Sequence, residues 1–333
     1  MKTTRLLAAF VAALGTSAFA DITIDGTLDA AYGEALAVQD TQTQFGDSSL
    51  GFIDDANGSE LDNGYGLIEG DYLYLFLGGN LESNFNKLEV FLDYVSGGQN
   101  KLRGDNPDVD FNGLNRLGDD GTGNGLTFDR GFEADFYFTM TCGGGPFSTY
   151  ANTSQVLTGG GGFGEYIGSG GAGASYLNGS NGTLVGIDNS NTAGVSSGTK
   201  ISSGFGVTTG IEIALPLALL GYAGGDVKVC AIVNGGGHDF VSNQILGSIG
   251  GGGNLGEPRL VKLNKVPGDQ FFVVPASGGS SCIGDLNGDQ VVDATDLALI
   301  LGGWGTAATD LNEDGSTDAT DLAIVLGAWG GCQ

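Results

Sequence analysis

Histidine, tryptophan and basic residues are scarce in this chain, and each shortage closes off a class of function. His238 is the only histidine, which excludes a zinc centre built on several imidazoles and leaves one candidate imidazole base. Lys and Arg number 12 against 39 Asp and Glu, a formal net charge of −27. So acidic a chain repels phosphate backbones and anionic lipid, so nucleic acid and membrane are excluded as partners. Beyond the first twenty residues no apolar run approaches the ~20 residues that a spanning helix needs. The glycine-rich tracts lack the following Lys-Ser/Thr and helix of a phosphate loop.

The opening residues read as an export signal. Lys2 and Arg5 form a basic start, Leu6 to Leu14 an apolar run, and Ala18-Phe19-Ala20 a cleavage site before Asp21. The mature chain is therefore expected to be secreted. Cysteine is sparse too, with four residues, which an exporting compartment would pair in one of three connectivities. Cys282 and Cys332 bracket the C-terminal region, which leaves Cys142 for Cys230 on two strand-like segments. The expected pairs are Cys282–Cys332 and Cys142–Cys230.

Glycine is abundant, at 64 residues of 333. Much of it lies between Gly143 and Gly206, a stretch that reads as loop or linker. Around it stand strand patterns: Asp71–Leu77, Lys87–Val95, Phe132–Met140, Gly210–Leu215, Val227–Val233 and Phe271–Val274. In the third, Phe132, Ala134, Phe136, Phe138 and Met140 are expected on one face. Leu217–Leu220 has room for a turn or two of helix. The reading is mainly β: an antiparallel sandwich over residues 21–275, a linker at 276–281, and a small helical module at 282–333.

That module is the richest part of the chain. Two twelve-residue stretches, Asp285 to Asp296 and Asp310 to Asp321, repeat at an offset of 25 residues. Asp285, Asn287, Asp289, Asp293 and Asp296 occupy positions 1, 3, 5, 9 and 12 of the first. Asp310, Asn312, Asp314, Asp318 and Asp321 occupy the same positions of the second. An EF-hand loop needs oxygens at these places, with a position-7 carbonyl, here from Val291 and Ser316. Such oxygen sets suit calcium, one ion per loop. Leu297, Ile300, Leu301 and Trp304 follow the first loop at helical spacing, as Leu322, Val325, Leu326 and Trp329 follow the second. No helix fits before either loop, so each unit is half an EF-hand. Gln290 holds position 6 of the first loop, where glycine usually takes a left-handed turn at no steric cost; a side chain there costs roughly 1 kcal/mol.

Duplicated loops, Asp at position 12 and a single exit helix make residues 282–332 resemble the type I dockerin module. The resemblance implies a two-calcium module that docks on a cohesin-type domain of another protein. It also implies that positions 10 and 11 read the partner: Ala294-Thr295 and Ala319-Thr320, identical in both copies. Asp21-Ile22-Thr23-Ile24-Asp25-Gly26-Thr27-Leu28-Asp29 through Tyr32, and Glu212 through Pro216 to Gly221, resemble elements of carbohydrate-binding module family 9-like sandwiches. That likeness, over residues 21–274, implies a jelly-roll-like sandwich in a group that binds sugars or haem or holds domains apart. Both tryptophans, Trp304 and Trp329, lie outside this region. Glycan stacking would therefore fall to Tyr65, Tyr72, Tyr74, Tyr94 or Tyr137, which fill sheets equally well.

A third candidate cation site is Asp108, Asp110 and Asn112, which begins like another loop but meets Arg116 at position 9. Catalysis has thin support. His238 sits in a glycine-rich stretch, and the pairs Glu133/Asp135 and Glu89/Asp93 are two among the many that 39 acidic residues supply. The reading is a secreted, non-catalytic β-sandwich protein, with polysaccharide as its candidate ligand, held by calcium-loaded loops to a cohesin-type partner in an extracellular polysaccharide-handling complex. Two alternatives stay open: a glycoside hydrolase carrying a docking module, and a surface-layer or matrix protein with a calcium-stapled C-terminal cap.

Overall fold

The computed structural model describes residues 22–45, 59–195, 203–276, 284–286, 291–306, 309–312 and 315–331. The expected signal segment, most of the linker, Cys282, Cys332, Asn287, Asp289, Gln290 and Asp314 lie outside the described residues.

In chain order the large β region runs β1 (Ala37–Val38), β2 (Glu60–Glu69), β3 (Tyr72–Asn80), β4 (Asn84–Asp93), the short helix α1 (Gly113–Leu117), β5 (Phe136–Gly143) and β6 (Ser148–Gln155). It continues with β7 (Gly164–Ser169), β8 (Tyr176–Asn178), β9 (Leu184–Ile187), β10 (Gly210–Pro216), α2 (Leu217–Leu220), β11 (Val227–Asn234), β12 (Val241–Ile245) and β13 (Phe272–Val274). One sheet is ordered β1-β2-β3-β10-β9-β8; the other is β12-β11-β4-β5-β6-β7, with β13 also paired to β11. Every pairing is antiparallel. The chain changes sheet between β3 and β4, between β7 and β8, and between β10 and β11.

Alternation explains how the sheets pack. Leu73, Leu75 and Leu77 of β3 and Ile211, Ile213 and Leu215 of β10 meet Leu88, Val90 and Leu92 of β4 and Val229, Ala231 and Val233 of β11 in one continuous core. Two sheets facing each other across such a core form an antiparallel β-sandwich. The outward residues are buried as well. Tyr32, Tyr65 and Phe76 pack together on the far side of the first sheet. On the far side of the second, Phe91, Tyr137, Cys230 and Ile232 meet Leu102, Leu114, Leu117, Leu126 and Phe128. Strands covered on both faces read as near-continuous apolar runs, as these do.

Three expectations change here. The strand expected from Phe132 begins at Phe136: Phe132 and Ala134 join the outer cluster while Phe136, Phe138 and Met140 face the inter-sheet core. The break is at Asp135, whose carboxylate accepts the N–H groups of Tyr94 at 2.8 Å and Val95 at 3.0 Å. The glycine-rich stretch from Gly143 to Gly206 carries β6 to β9: the segments between the glycines, Thr- and Ser-containing in β6 and aliphatic in β9, extend both sheets. Finally, Cys142 and Cys230 are free, buried thiols. Cys142 points into the inter-sheet core and Cys230 into the outer cluster. Cys230 shares a row with Phe91 and Tyr137, five residues along β5 from Cys142, about 17 Å of strand. A disulfide needs Cα atoms within ~7 Å, so the expected bridge does not form.

Candidate functional site

The C-terminal residues build a separate small core of Val292, Ile300 and Val325, lined by Leu286, Leu297, Leu311, Leu322 and Ala328. Its elements are β14 (Val291–Val292), α3 (Ala294–Gly302), α4 (Ala319–Gly327) and β15 (Gly330–Gly331). The two halves clasp each other. Val292 pairs with Gly330 beyond α4, and Thr317, its counterpart in the second loop, bonds Gly305 and Thr306 beyond α3.

Each helix starts in the same way. Asp293 caps α3 by accepting the Thr295 N–H at 2.6 Å, and Asp318 caps α4 by accepting that of Thr320 at 2.7 Å. The position-12 residues complete a capping box in both helices. Asp296 is fully buried; its carboxylate accepts from Asp293 N at 2.8 Å and Leu286 N at 2.7 Å. Asp321 does likewise with Asp318 N at 2.8 Å and Leu311 N at 2.8 Å. One short side chain thus ties the loop's end to its beginning and to the helix. Gly315 takes φ +97° in the second loop, and its N–H donates to Asp310 Oδ2 at 2.7 Å. The described positions of the second loop carry the oxygen-bearing side chains that a hard cation takes. Calcium would be held there by Asp310, Asn312, Asp318, Asp321 and the Ser316 carbonyl, with Asp314 outside the described residues.

The apolar stripe behind each loop does not all turn inward. Ile300 and Val325 are buried, whereas Leu301, Trp304, Leu326 and Trp329 are each 46–53 % exposed. Ala294, Thr295, Ala319 and Thr320 are exposed as well. The helix starts and these apolar side chains are therefore free to meet a partner.

Residues 283–327 match the family model of the dockerin type I domain. Dockerin domains bind calcium and cohesin domains. No curated protein and no solved structure matches the chain. The dockerin segment accounts for the duplicated loops and leaves the sandwich to be read from its own geometry.

Three polar clusters lie within the sandwich. In the first, His238 is 3 % exposed, with Nδ1 2.7 Å from Glu89 Oε1 and Nε2 3.0 Å from Asp110 Oδ2. Lys87 Nζ also reaches Asp110 Oδ2, at 2.8 Å, and the Tyr137 hydroxyl donates to Glu89 Oε2. Burial alone would lower His238; the Glu89 and Asp110 carboxylates outweigh it and raise the ring to about 9. Burial pushes Asp110 up, but bonds from His238 and Lys87 outweigh that and hold it low. The sequence read His238 as part of a glycine-rich stretch and Asp110 as part of a candidate cation site with Asp108 and Asn112. In the structure His238 is buried, and Asp110 and Asn112 are engaged by other side chains. Asp110 is already paired with two cationic side chains, and Asn112 Oδ1 accepts from Asn115 at 2.7 Å. Among the described residues no three His, Cys, Asp or Glu side chains are placed to hold a metal.

The second cluster explains the N-terminal and Glu212 motifs. Glu212 points outward from β10 and accepts from Asp25 N at 3.0 Å, Gly26 N at 3.2 Å and the Tyr32 hydroxyl at 2.9 Å. Gly26 has φ +85°, and a Cβ there would lie 2.4 Å from Asp188 N, so glycine is required. These residues fasten the leading segment to the sheet. Burial raises Glu212 to about 7 despite those bonds.

In the third, Glu60 and Asp62 of β2 lie fully buried beside Asn80 and Asn191. Burial first, and then the neighbouring Asp62 charge, raises Glu60 to about 9; burial raises Asp62 to about 7.

The carboxylate pairs noted in sequence do not share a cleft. Glu89 is buried under His238, and Asp135 holds backbone N–H groups. Asp93 lines a shallow recess with Glu133, Asp226 and Lys228, where it binds Lys228 at 3.0 Å. Tyr65 and Tyr137 are core residues, and Tyr94 donates its hydroxyl to Leu220 O. Tyr72 and Tyr74 form a tilted, partly exposed pair with centroids 5.7 Å apart.

Proposed function

We propose that this chain is an exported β-sandwich protein that attaches, when its C-terminal loops hold calcium, to a cohesin-type domain in an extracellular polysaccharide-handling complex. The observation that carries this reading is the paired exposure of Ala294-Thr295 and Ala319-Thr320 at identically capped helix starts. Binding of the full chain to a panel of cohesin domains, in calcium and in chelator, tests it. Retention in calcium and release by chelator is expected. Failure of the whole panel in saturating calcium would overturn it. Trp304 and Trp329 report loop loading in the same sample, so their emission should change on chelation.

The sandwich is proposed to be non-catalytic. The one histidine and its partner Glu89 are buried, and Asp110 is engaged by His238 and Lys87, which supports that reading. Release of reducing sugar from a polysaccharide panel would refute it. A second reading concerns polysaccharide binding, and one surface favours it. Register places Tyr150, Asn152 and Tyr166 on one face of β6 and β7, with the Phe85 ring 6.4 Å from Tyr150. Phe85 and Tyr166 are exposed, and flat rings beside amides suit sugar rings. Retention on insoluble polysaccharide that survives Tyr166→Ala with Tyr150→Ala would exclude this face.

A further inference from the structure

The Glu60 cluster brings two buried carboxylates together, unlike the Glu212 cluster, which holds one. Glu60, Asp62 and Asn80 are fully buried, and Asn191 is 6 % exposed. Yet among the described residues no lysine, arginine or histidine forms an ion pair with either carboxylate. A single amide group is overdrawn in their place. Asn191 Nδ2, with two hydrogens, faces Glu60 Oε1 at 2.8 Å, Asp62 Oδ2 at 2.9 Å and Ala193 O at 2.9 Å. Asn80 Nδ2 adds a bond to Glu60 Oε1 at 3.1 Å. Glu60 Oε2 and Asn80 Oδ1 then remain buried with no hydrogen-bond partner. Buried carboxylates are ordinarily paired or bound to metal, and a buried acceptor without a donor is costly.

The surroundings hold this arrangement tightly. Glu60 stands opposite Asn80 in the β2–β3 register, next to a bulge between Leu61 and Asn63. Gly194 has φ +90° and lies so close that a Cβ would fall 1.8 Å from Asp62 Oδ1, while Val195 N donates to that oxygen at 2.6 Å. The chain from Asn191 to Val195 is pressed onto two acids, and the donors offered leave two oxygens over.

We propose that Glu60, Asp62 and the side-chain oxygen of Asn80 form an internal calcium site in the sandwich, closed by the Asn191–Val195 segment and separate from the C-terminal loops. A divalent ion neutralises both carboxylates and takes up the two oxygens that lack donors. The donors are all oxygen, which favours a hard cation over zinc or copper. Mg²⁺ keeps several waters and a strict octahedron, whereas Ca²⁺ accepts carboxylate and amide oxygens at variable geometry, so a dry site of this kind selects calcium.

The test uses the full chain and counts calcium by equilibrium dialysis and atomic absorption. Glu60→Gln with Asp62→Asn should bind one ion fewer per chain than wild type; an equal count would overturn the proposal. All ten tyrosines lie in the sandwich and both tryptophans in the C-terminal module, so the two regions are read separately. Tyrosine near-ultraviolet dichroism should show the sandwich melting about 5–10 °C higher when calcium exceeds Kd a hundredfold. Identical sandwich melting in calcium and chelator would mean that the acids share protons instead of a cation, and the proposal would fall, whatever the tryptophans report. Asn80→Asp covers the case in which the double variant does not fold. A third carboxylate should enlarge the calcium-dependent shift in melting, and a smaller shift than in wild type would also overturn the site.

Discussion

His238 binds Glu89 through Nδ1 at 2.7 Å across 149 positions of sequence, and the bond joins the loop after β11 to the middle of β4. The same ring holds Asp110 from the other side. One imidazole therefore fixes the covering segment to the sheet, and its charge is part of the joint.

Stability should depend on that charge. The ring's ordinary value of 6.5 is raised to about 9 in the fold. A raised base contributes fully below the unfolded value and loses its contribution as pH climbs through the folded one. Wild-type stability should fall between about pH 7 and 9, by on the order of 2–3 kcal/mol from this group. His238→Gln should be less stable at pH 6 and lose that part of the slope. Urea unfolding followed by tyrosine dichroism at several pH values checks this, and parallel slopes in the two proteins would contradict it.

Gly113 opens α1 directly against the ring. A Cβ there would lie 2.3 Å from both Cδ2 and Nε2 of His238. Gly113→Ala should cost about 2–4 kcal/mol through overpacking and loss of the Asp110 bond. In a His238→Ala background the same change should cost much less. A double-mutant cycle measures the coupling, and additive costs would show that the clash is relieved elsewhere.

Tyr32→Phe removes one of the three donors to the buried Glu212 carboxylate. The expected loss is about 1–2 kcal/mol, with the sheet pairing unchanged. Chemical denaturation gives the number. Hydrogen exchange should show faster opening at Asp25 and Gly26, whose N–H groups share that acceptor, while β10 keeps its protection.

The two dockerin loops should bind calcium unequally. Gly315 sits at φ +97°, a turn that glycine makes without strain. Its counterpart is Gln290, for which the same turn costs roughly 1 kcal/mol, or about fivefold in affinity. Gln290→Gly should strengthen the first loop by that factor and narrow the gap. Calorimetric titration showing no gain would mean that the first loop turns without a left-handed residue.

The strands were legible because alternation records which side chains face inward: Phe136, Phe138 and Met140 were assigned to one face from the sequence and share the inter-sheet core. What covers the outer face was not. The segment from Asn100 to Asp129 looks like a polar loop, since Leu102, Leu114, Leu117 and Leu126 are scattered among glycines and acids with no period. Their burial depends on a sheet that other parts of the chain supply. For the same reason Cys142 and Cys230 looked available to each other, because sequence does not show that two strands present them to opposite faces. The dockerin segment was legible because its repeated pattern lies along one short stretch. The polar clusters in the sandwich draw on residues more than a hundred positions apart, so only Glu212 and the Asp25-Gly26 turn left a trace, as a motif pair.

The joint at His238 also bears on the order of events as the chain folds. Asp110 and Lys87 emerge early, but the ring that links Asp110 to Glu89 arrives more than a hundred residues later, with β11 and β12 around it. Until then the segment carrying α1 lacks the part of its cluster that Cys230, Ile232, Val241 and Ile245 supply, and its leucines are only partly covered. Closing such distant contacts is slow, because loop entropy is lost before the contact forms. The outer layer of the second sheet is therefore expected to be the last part of the sandwich to close, and the first to open to a protease.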